Sequence, residues 1–281
     1  KDPTVYDYSV AEPALDQFRG KDELVDALLT YSDLNKLMTT YVMPYLGGDI
    51  TRTLGGKSKI IAKESLLYKG RIHTDFVQYG AETGRFSSRN PNLQNVPAPH
   101  TFNGKAVRNL FVAPKGYKLV VADYSQIEPR VIASFSQDRI MVEAYNKGED
   151  IYTTIGDTMG VDRRAGKVLV LSLAYGVGPD KIASEIGCSL SDAKRLLDNF
   201  SDRFRAVNTY RKQVISESRR KAPVPYVSTM LNRRRYLPDL RAKEIWKRAR
   251  AERQAFNTVI QGSAADLIKV AMIRAHHMIP E

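Results

Sequence analysis

From residue 126 to residue 220 the pattern is mostly helical, in successive segments 126–137, 138–146, 151–159, 163–175, 179–186, 189–200 and 203–220. What brackets this tract constrains the fold further. Before it, Lys118-Leu119-Val120-Val121-Ala122 is a continuous apolar run bounded by Gly116, and it predicts a buried strand that stops at Asp123. After it, Pro223-Val224-Pro225 breaks the helical pattern, and residues 226–237 predict a hairpin with Asn232 at its turn. The expected class is therefore α+β, a small antiparallel sheet with a helical insertion between its elements.

The flanks are simpler. Leu24, Leu28, Leu34, Leu37 and Tyr41 recur at helical spacing behind the acidic turn Asp22-Glu23, predicting a helix over 21–46 that Gly47-Gly48 ends. Ile60, Ile61, Ile72 and Val77 suggest strands around a turn at Lys69-Gly70. Residues 83–99 read as a long loop, punctuated by Gly84, Pro91, Pro97 and Pro99. A long helix is predicted over 242–259, and Ser263-Ala264-Ala265-Asp266 has the capping-box pattern of a last helix reaching His277.

Composition narrows the partners. The 281 residues carry 43 Lys+Arg against 31 Asp+Glu, a net charge of +12 that predicts attraction to a polyanion. Cys188 is the one cysteine, so neither a disulfide framework nor a cysteine zinc site is expected, and a reducing compartment is. No apolar run reaches the roughly 18 residues of a membrane helix. The expectation is a soluble, intracellular protein. The sequence opens on Lys1 rather than Met, as a piece of a processed or longer polypeptide would.

Four constellations carry chemistry. In Asp123-Tyr124-Ser125-Gln126-Ile127-Glu128, a carboxylate at a strand end suits a Mg²⁺ that also holds substrate phosphates. The same residues suit a plain turn, with Ser125 and Glu128 as a helix capping box. Arg163, Lys167, Leu171 and Tyr175 lie four apart and form one helical stripe: two cations, an apolar residue and a ring, in the order that would suit a nucleoside triphosphate. A basic solvated turn followed by a core stripe is the alternative. The loop Thr83-Gly84-Arg85-Phe86-Ser87-Ser88-Arg89-Asn90-Pro91-Asn92-Leu93-Gln94-Asn95 offers donors to minor-groove acceptors and phosphates, or ordinary Asx turns. Arg253, Asn257 and Gln261, again four apart, form a polar stripe fit for groove contacts or a hydrated surface. Arg233-Arg234-Arg235 and the basic stretch 243–250 face phosphate or solvent.

In this order the four motifs resemble those of the family A DNA polymerases, the group of bacterial polymerase I and related phage and organellar enzymes. "DYSQIE" is similar to their motif A, "RRAGK" with its later Tyr-Gly to motif B, "TGRFSSRNPNLQN" to the template-primer loop and "RQAFNTVIQGSAADLIK" to the helix beside the duplex minor groove. The resemblance implies a right-hand fold: the end of a thumb over 1–60, palm with motif A over 61–134, fingers over 135–240, and palm helices over 241–281. It implies a DNA polymerase with primer-template DNA and dNTPs as partners and two Mg²⁺ ions, for which Mn²⁺ substitutes. Asp123 and the Tyr124 carbonyl would hold metal. Tyr124, Gln126, Glu128, Tyr152, Arg163, Lys167, Leu171 and Tyr175 would line the dNTP site, Glu128 excluding a ribose 2′-hydroxyl, and Asp123 and Lys167 would be catalytic. Arg85, Asn92, Gln94, Asn95, Arg253, Asn257 and Gln261 would meet DNA.

The sequence departs from the pattern at Pro129, Leu171 and Tyr152, where the family has Leu, an aromatic residue and His. Motif C, a His-Asp pair, is expected after the final helix, and the sequence reaches Glu281 without it. A C-terminal segment or a second polypeptide is expected to supply it. Competing classes are a non-catalytic DNA-binding subunit or pseudo-polymerase, and a single-subunit RNA polymerase, against which Glu128 and the 83–95 loop speak.

Overall fold

The computed structural model describes residues 12–16, 18–47, 50–54, 57–62 and 65–279. The chain divides into two compact units, Lys1–Val77 with Ser87–Val121, and Gln78–Phe86 with Ala122–Glu281.

The first unit begins with α1 (Glu12–Asp16) and α2 (Glu23–Leu37). The Asp22 carboxylate caps α2, accepting from the Leu24 and Val25 amides at 2.8 and 3.2 Å. A π-helical turn, Met38–Val42, continues it into α3 (Met43–Leu46), so the helix expected over 21–46 is present. Its predicted apolar stripe divides: Leu24, Leu28 and Leu34 face solvent, while Tyr41 is buried and Leu37 packs against it; Leu29 and Tyr45, outside the stripe, are also buried. Tyr41 and Tyr45, in edge contact at 6.3 Å, form a small core with Val107 of α4 (Phe102–Arg108). The strands are short antiparallel pairs: β1 (Ile50–Leu54) with β2 (Lys57–Ala62), β3 (Leu67–Tyr68) with β4 (Arg71–Ile72), and β5 (Asp75–Val77) with β6 (Ser87–Arg89). The turn at Lys69-Gly70 joins β3 to β4, as the sequence indicates. Residues 83–99 are not all loop, since they hold β6 and a 3₁₀ turn, Leu93–Asn95.

The second unit holds the helical tract: α5 (Ile127–Ser136), α6 (Arg139–Asn146), α7 (Ile151–Met159), α8 (Arg163–Tyr175), α9 (Pro179–Ile186), α10 (Leu190–Arg203) and α11 (Arg205–Arg220). The predicted segments match these bounds within a few residues because the start signals are local. Asp138, Asp150, Asp162 and Ser189 each cap the following helix through their side chains. β7 (Tyr226–Ser228) and β8 (Arg234–Tyr236) form the expected hairpin, with Asn232 at φ +61° in its turn. A 3₁₀ turn, Pro238–Arg241, leads to α12 (Ile245–Met278). One core joins α5 to α8 and α10 to α12 through Ile132, Ile155, Leu169, Phe200, Phe204 and Phe256.

Three expectations are corrected. Residues 118–122 do not form a buried strand: they pair with no strand among the described residues, and Leu119, Val120 and Val121 are 62%, 90% and 93% exposed. An apolar run becomes a strand only where a neighbour receives its backbone hydrogen bonds. The break at Ser263 does not exist either, because α12 runs unbroken for 34 residues. Its stretch around 255–266 is enclosed almost all round, which stabilises helix without a new cap. The Ser263 hydroxyl instead accepts the Met230 amide of the hairpin at 3.0 Å. Ser125 and Glu128 form no capping box: Gln126, at φ +55°, occupies the N-cap of α5 without a side-chain capping bond, and Glu128 is engaged elsewhere.

Candidate active site and nucleic-acid interface

Helix α8 presents the predicted stripe to the outside. Arg163, Lys167 and Tyr175 are exposed and Leu171 is half-buried, while Ala165, Leu169 and Val170 face the core. The alternative of a core-facing stripe is thereby set aside. Gly166 lies on the inner side, where a methyl group would stand 2.3 Å from the Tyr152 carbonyl oxygen of α7. Only glycine allows this close backbone approach, and it brings the start of α7 beside the start of α8.

That approach builds a polar cluster at the N-terminal end of α8. Arg163 meets Asp150 through two donors, Nε to Oδ1 at 3.1 Å and Nη2 to Oδ2 at 3.0 Å. Its guanidinium lies 5.4 Å from the Tyr152 ring. Gln126 Nε2 also donates to Asp150, at 2.7 Å, and the Thr153 amide does so at 2.9 Å. Arg163, first among these, holds the Asp150 carboxyl down at about 2. Burial raises the Tyr152 hydroxyl above its usual range, with the nearby Asp150 charge adding to it. Lys167, one turn further on, makes no hydrogen bond or ion pair among the described residues and is open to solvent. Asp150 is the residue that sequence spacing missed. Its partner lies 13 positions away across two helices, which spacing within one helix does not reveal.

The C-terminal end of α8 carries a second cluster. Tyr175 donates its hydroxyl to Glu128 Oε2 at 2.8 Å, and Arg85 forms an ion pair with Glu128 Oε1. Glu128 is 8% exposed, so this carboxylate is desolvated and depends on both partners. Asp123 and Tyr124 precede it in an exposed, irregular segment. Among the described residues no three His, Cys, Asp or Glu side chains converge as a metal site. The exposed Asp123 carboxylate suits a hard cation, and it supplies only part of a coordination shell.

The remaining predicted contacts fall in two places. Arg253, Asn257 and Gln261 share one line of α12, descending from exposed through half-buried to 7% exposed, so the stripe is no hydrated surface. Asn257 Oδ1 is buried and accepts no hydrogen bond among the described residues. Asn92, Gln94 and Asn95 are exposed residues of the first unit, where the Asn92 side chain caps the 3₁₀ turn through the Gln94 amide at 3.0 Å. A cleft of about 550 Å³ opens beside Tyr124, walled mainly by apolar residues such as Ile127, Val131, Met230, Leu267 and Met278, with Arg130 and Arg274 also in its lining.

The family model described as DNA polymerase family A matches residues 1–281. The chain belongs to that family. This family A chain is 37% identical over 285 residues to DNA polymerase I of Chloroflexus aurantiacus, covering 98% of the chain and 28% of that protein. It is 36% identical over 282 residues to the thermostable DNA polymerase I of Thermus thermophilus, covering 97% of the chain and 32% of that protein. The chain thus spans less than a third of the length of these curated relatives. Among solved structures, the POL domain of Pol1 from M. smegmatis, in complex with DNA primer-template and dNTP, superimposes with a TM-score of 0.80 at 36% identity. That likeness covers 97% of this chain and 46% of the other. The α+β class with small antiparallel pairs agrees with the polymerase fold that the motifs implied. No helix among the described residues is long and apolar enough to cross a membrane.

Proposed function

We propose that this chain is the nucleotide-adding core of a DNA-directed DNA polymerase. A primer 3′-hydroxyl would attack the α-phosphate of a dNTP, forming the new phosphodiester and releasing pyrophosphate. The observation that carries this reading is the outward stripe of α8, with cations at one end and, at the other, a ring bonded to a desolvated carboxylate just beyond Asp123. The relatives' names and the primer-template and dNTP of the M. smegmatis complex support it.

In this reading Lys167 and Arg163 take the triphosphate, Arg163 exchanging Asp150 for phosphate oxygens. Lys167 also gives a proton to the leaving pyrophosphate. Tyr152 donates a neutral hydrogen bond to phosphate, and Gln126 keeps Asp150 in place once Arg163 turns. Leu171 packs on sugar and base, and Tyr175 stacks at the templating position. Glu128, fixed by Arg85 and Tyr175, fills the space of a ribose 2′-hydroxyl. Arg85, Asn257 and Gln261 read the minor groove, Arg253 lies near the primer end, and Asn92, Gln94 and Asn95 follow the backbone of primer-template. Asp123 and the Tyr124 carbonyl would hold divalent metal, Mg²⁺ or in its place Mn²⁺. When bound, two such ions supply charge neutralisation at the attacking and leaving oxygens.

The thumb, palm and fingers assignments 1–60, 61–134, 135–240 and 241–281 belong to the same reading. So does a further segment or polypeptide bringing a second carboxylate. Primer extension by the intact polypeptide, with dNTPs and rNTPs compared, tests the function. Extension with dNTPs that Asp123→Ala abolishes is expected. DNA binding without extension makes it a pseudo-polymerase, and preference for rNTPs makes it an RNA polymerase.

A further inference from the structure

The arginine triplet 233–235 reads in the sequence as phosphate-facing or solvated surface, and the structure divides it. Arg234 is exposed, its guanidinium 4.9 Å from the Tyr226 ring. Arg233 and Arg235 turn inward and hold the segment Gln78–Phe86. Arg233 Nη2 donates to the Thr83 carbonyl at 2.7 Å and to the Gly262 carbonyl at 3.2 Å, while Nε donates to Asp266 Oδ1 at 3.2 Å. Arg235 donates to the Thr258 hydroxyl at 2.8 Å and pairs with Glu82. Lys269 adds a weaker tie, Nζ lying 3.4 Å from the Gln78 carbonyl oxygen and 5.0 Å from the Phe86 ring.

The Arg233 contact is shaped on all sides. A methyl group on Gly84 would lie 2.3 Å from its Cζ, and one on Gly262 would lie 2.9 Å from Nη2. Gly84 also sits at φ +81°, a conformation other residues rarely adopt. Asp266 is 5% exposed, so its charge requires a cation beside it. Two carbonyls and a carboxylate in different directions match the planar fork of a guanidinium, and an ammonium does not reproduce that geometry.

We propose that Arg233 is a positioning residue: by fixing Thr83-Gly84 on α12 it aims Arg85 at Glu128, and so holds the carboxylate that selects the sugar. This rests on the polymerase reading for its consequence and on the contacts above for its mechanism. It assigns part of the triplet an inward task that neither phosphate binding nor solvation describes.

The test uses the intact polypeptide with Arg233→Ala, Arg233→Lys and Gly84→Ala. Gly84→Ala displaces the same guanidinium while leaving Arg233 and Asp266 in place, and it serves if Arg233→Ala does not fold. Hydrogen exchange at the Gly84 amide, bonded to the Ala81 carbonyl at 2.8 Å, reports the loop directly. It should accelerate about tenfold or more in Arg233→Ala, and less in Arg233→Lys, while Gly84→Ala is read by sugar discrimination alone. Discrimination between dNTP and rNTP should fall about as far as in Arg85→Ala, and Arg233→Ala added to Arg85→Ala should change it less than about twofold further. Additive losses, unchanged exchange, or faster exchange with intact discrimination would each overturn the proposal. A wild-type protein that extends no primer removes the polymerase reading and the sugar-selecting role with it. The exchange rates then decide separately whether Arg233 holds the loop.

Discussion

Helix α8 is tied at both ends by carboxylates from other elements, Asp150 at Arg163 and Glu128 at Tyr175, in different surroundings. The Asp150 pair is open: the Arg163 side chain is 57% exposed and that of Asp150 34%. Such a pair is screened by salt, contributes little to stability and exchanges its anion readily. The Glu128 end is closed, with a carboxylate side chain only 10% exposed between a cation and a phenol. There, exchange would strand a charge in poor solvent. The lesson is a division of labour along one helix: a replaceable anion where phosphates would arrive, and a fixed carboxylate where a shape must be held.

The comparison breaks most visibly at Glu128. Glu128→Ala should lower folding stability by about 1–3 kcal/mol, since Arg85 and Tyr175 lose their common acceptor. It should also raise relative use of rNTPs about 10- to 100-fold. Denaturant unfolding and competitive incorporation check both, and a stable variant with unchanged sugar preference would reduce Glu128 to an ordinary packing residue. A sharper cut is Tyr175→Phe, which keeps the ring and removes one hydrogen bond. A loss of about 1 kcal/mol is expected, with sugar discrimination weakened only a few-fold. The smallest effect belongs to Asp150→Asn, which removes the anion that a phosphate would displace from Arg163. Triphosphate affinity, read by titration calorimetry, should rise by no more than about fivefold, the value of an exposed ion pair. Marked weakening would mean that Asp150 orients Arg163 rather than competing for it.

The same pair makes a pH prediction. Asp150 is lowered from 3.8 to about 2, chiefly by Arg163. Its contribution is therefore complete above the unfolded value and is lost as pH falls through about 2. The Tm difference between the wild type and Asp150→Asn should be constant from neutral pH to about pH 5 and vanish toward pH 2. A difference that changes near neutral pH would point to another group.

The helical tract was legible because its signals are local: a helical pattern in each segment and a break at Pro223. The α8 stripe was legible for the same reason, since residues four apart share a face whatever packs on the other side. What failed depended on distant neighbours. Residues 118–122 have the composition of a strand and no partner among the described residues. Ser263 has the pattern of a cap, but its hydroxyl is taken by Met230 from a hairpin 33 positions away. Arg233 and Arg235 read as surface because nothing in the triplet itself marks Thr83, Asp266, Glu82 or Thr258 as its partners. Glu128 was expected to cap α5 or gate a sugar, and only the fold shows Arg85 and Tyr175 converging on it.

In the proposed reading a triphosphate lies along α8 and meets Lys167, the stripe's cation with no partner among the described residues. Amine acylation of the intact polypeptide on primer-template, followed by peptide mass analysis, tests this directly. The complementary dNTP should protect Lys167 strongly, mismatched nucleotides should protect it little, and the exposed Lys181 and Lys194 should react alike in all cases. Equal labelling of Lys167 with and without the complementary dNTP would contradict it.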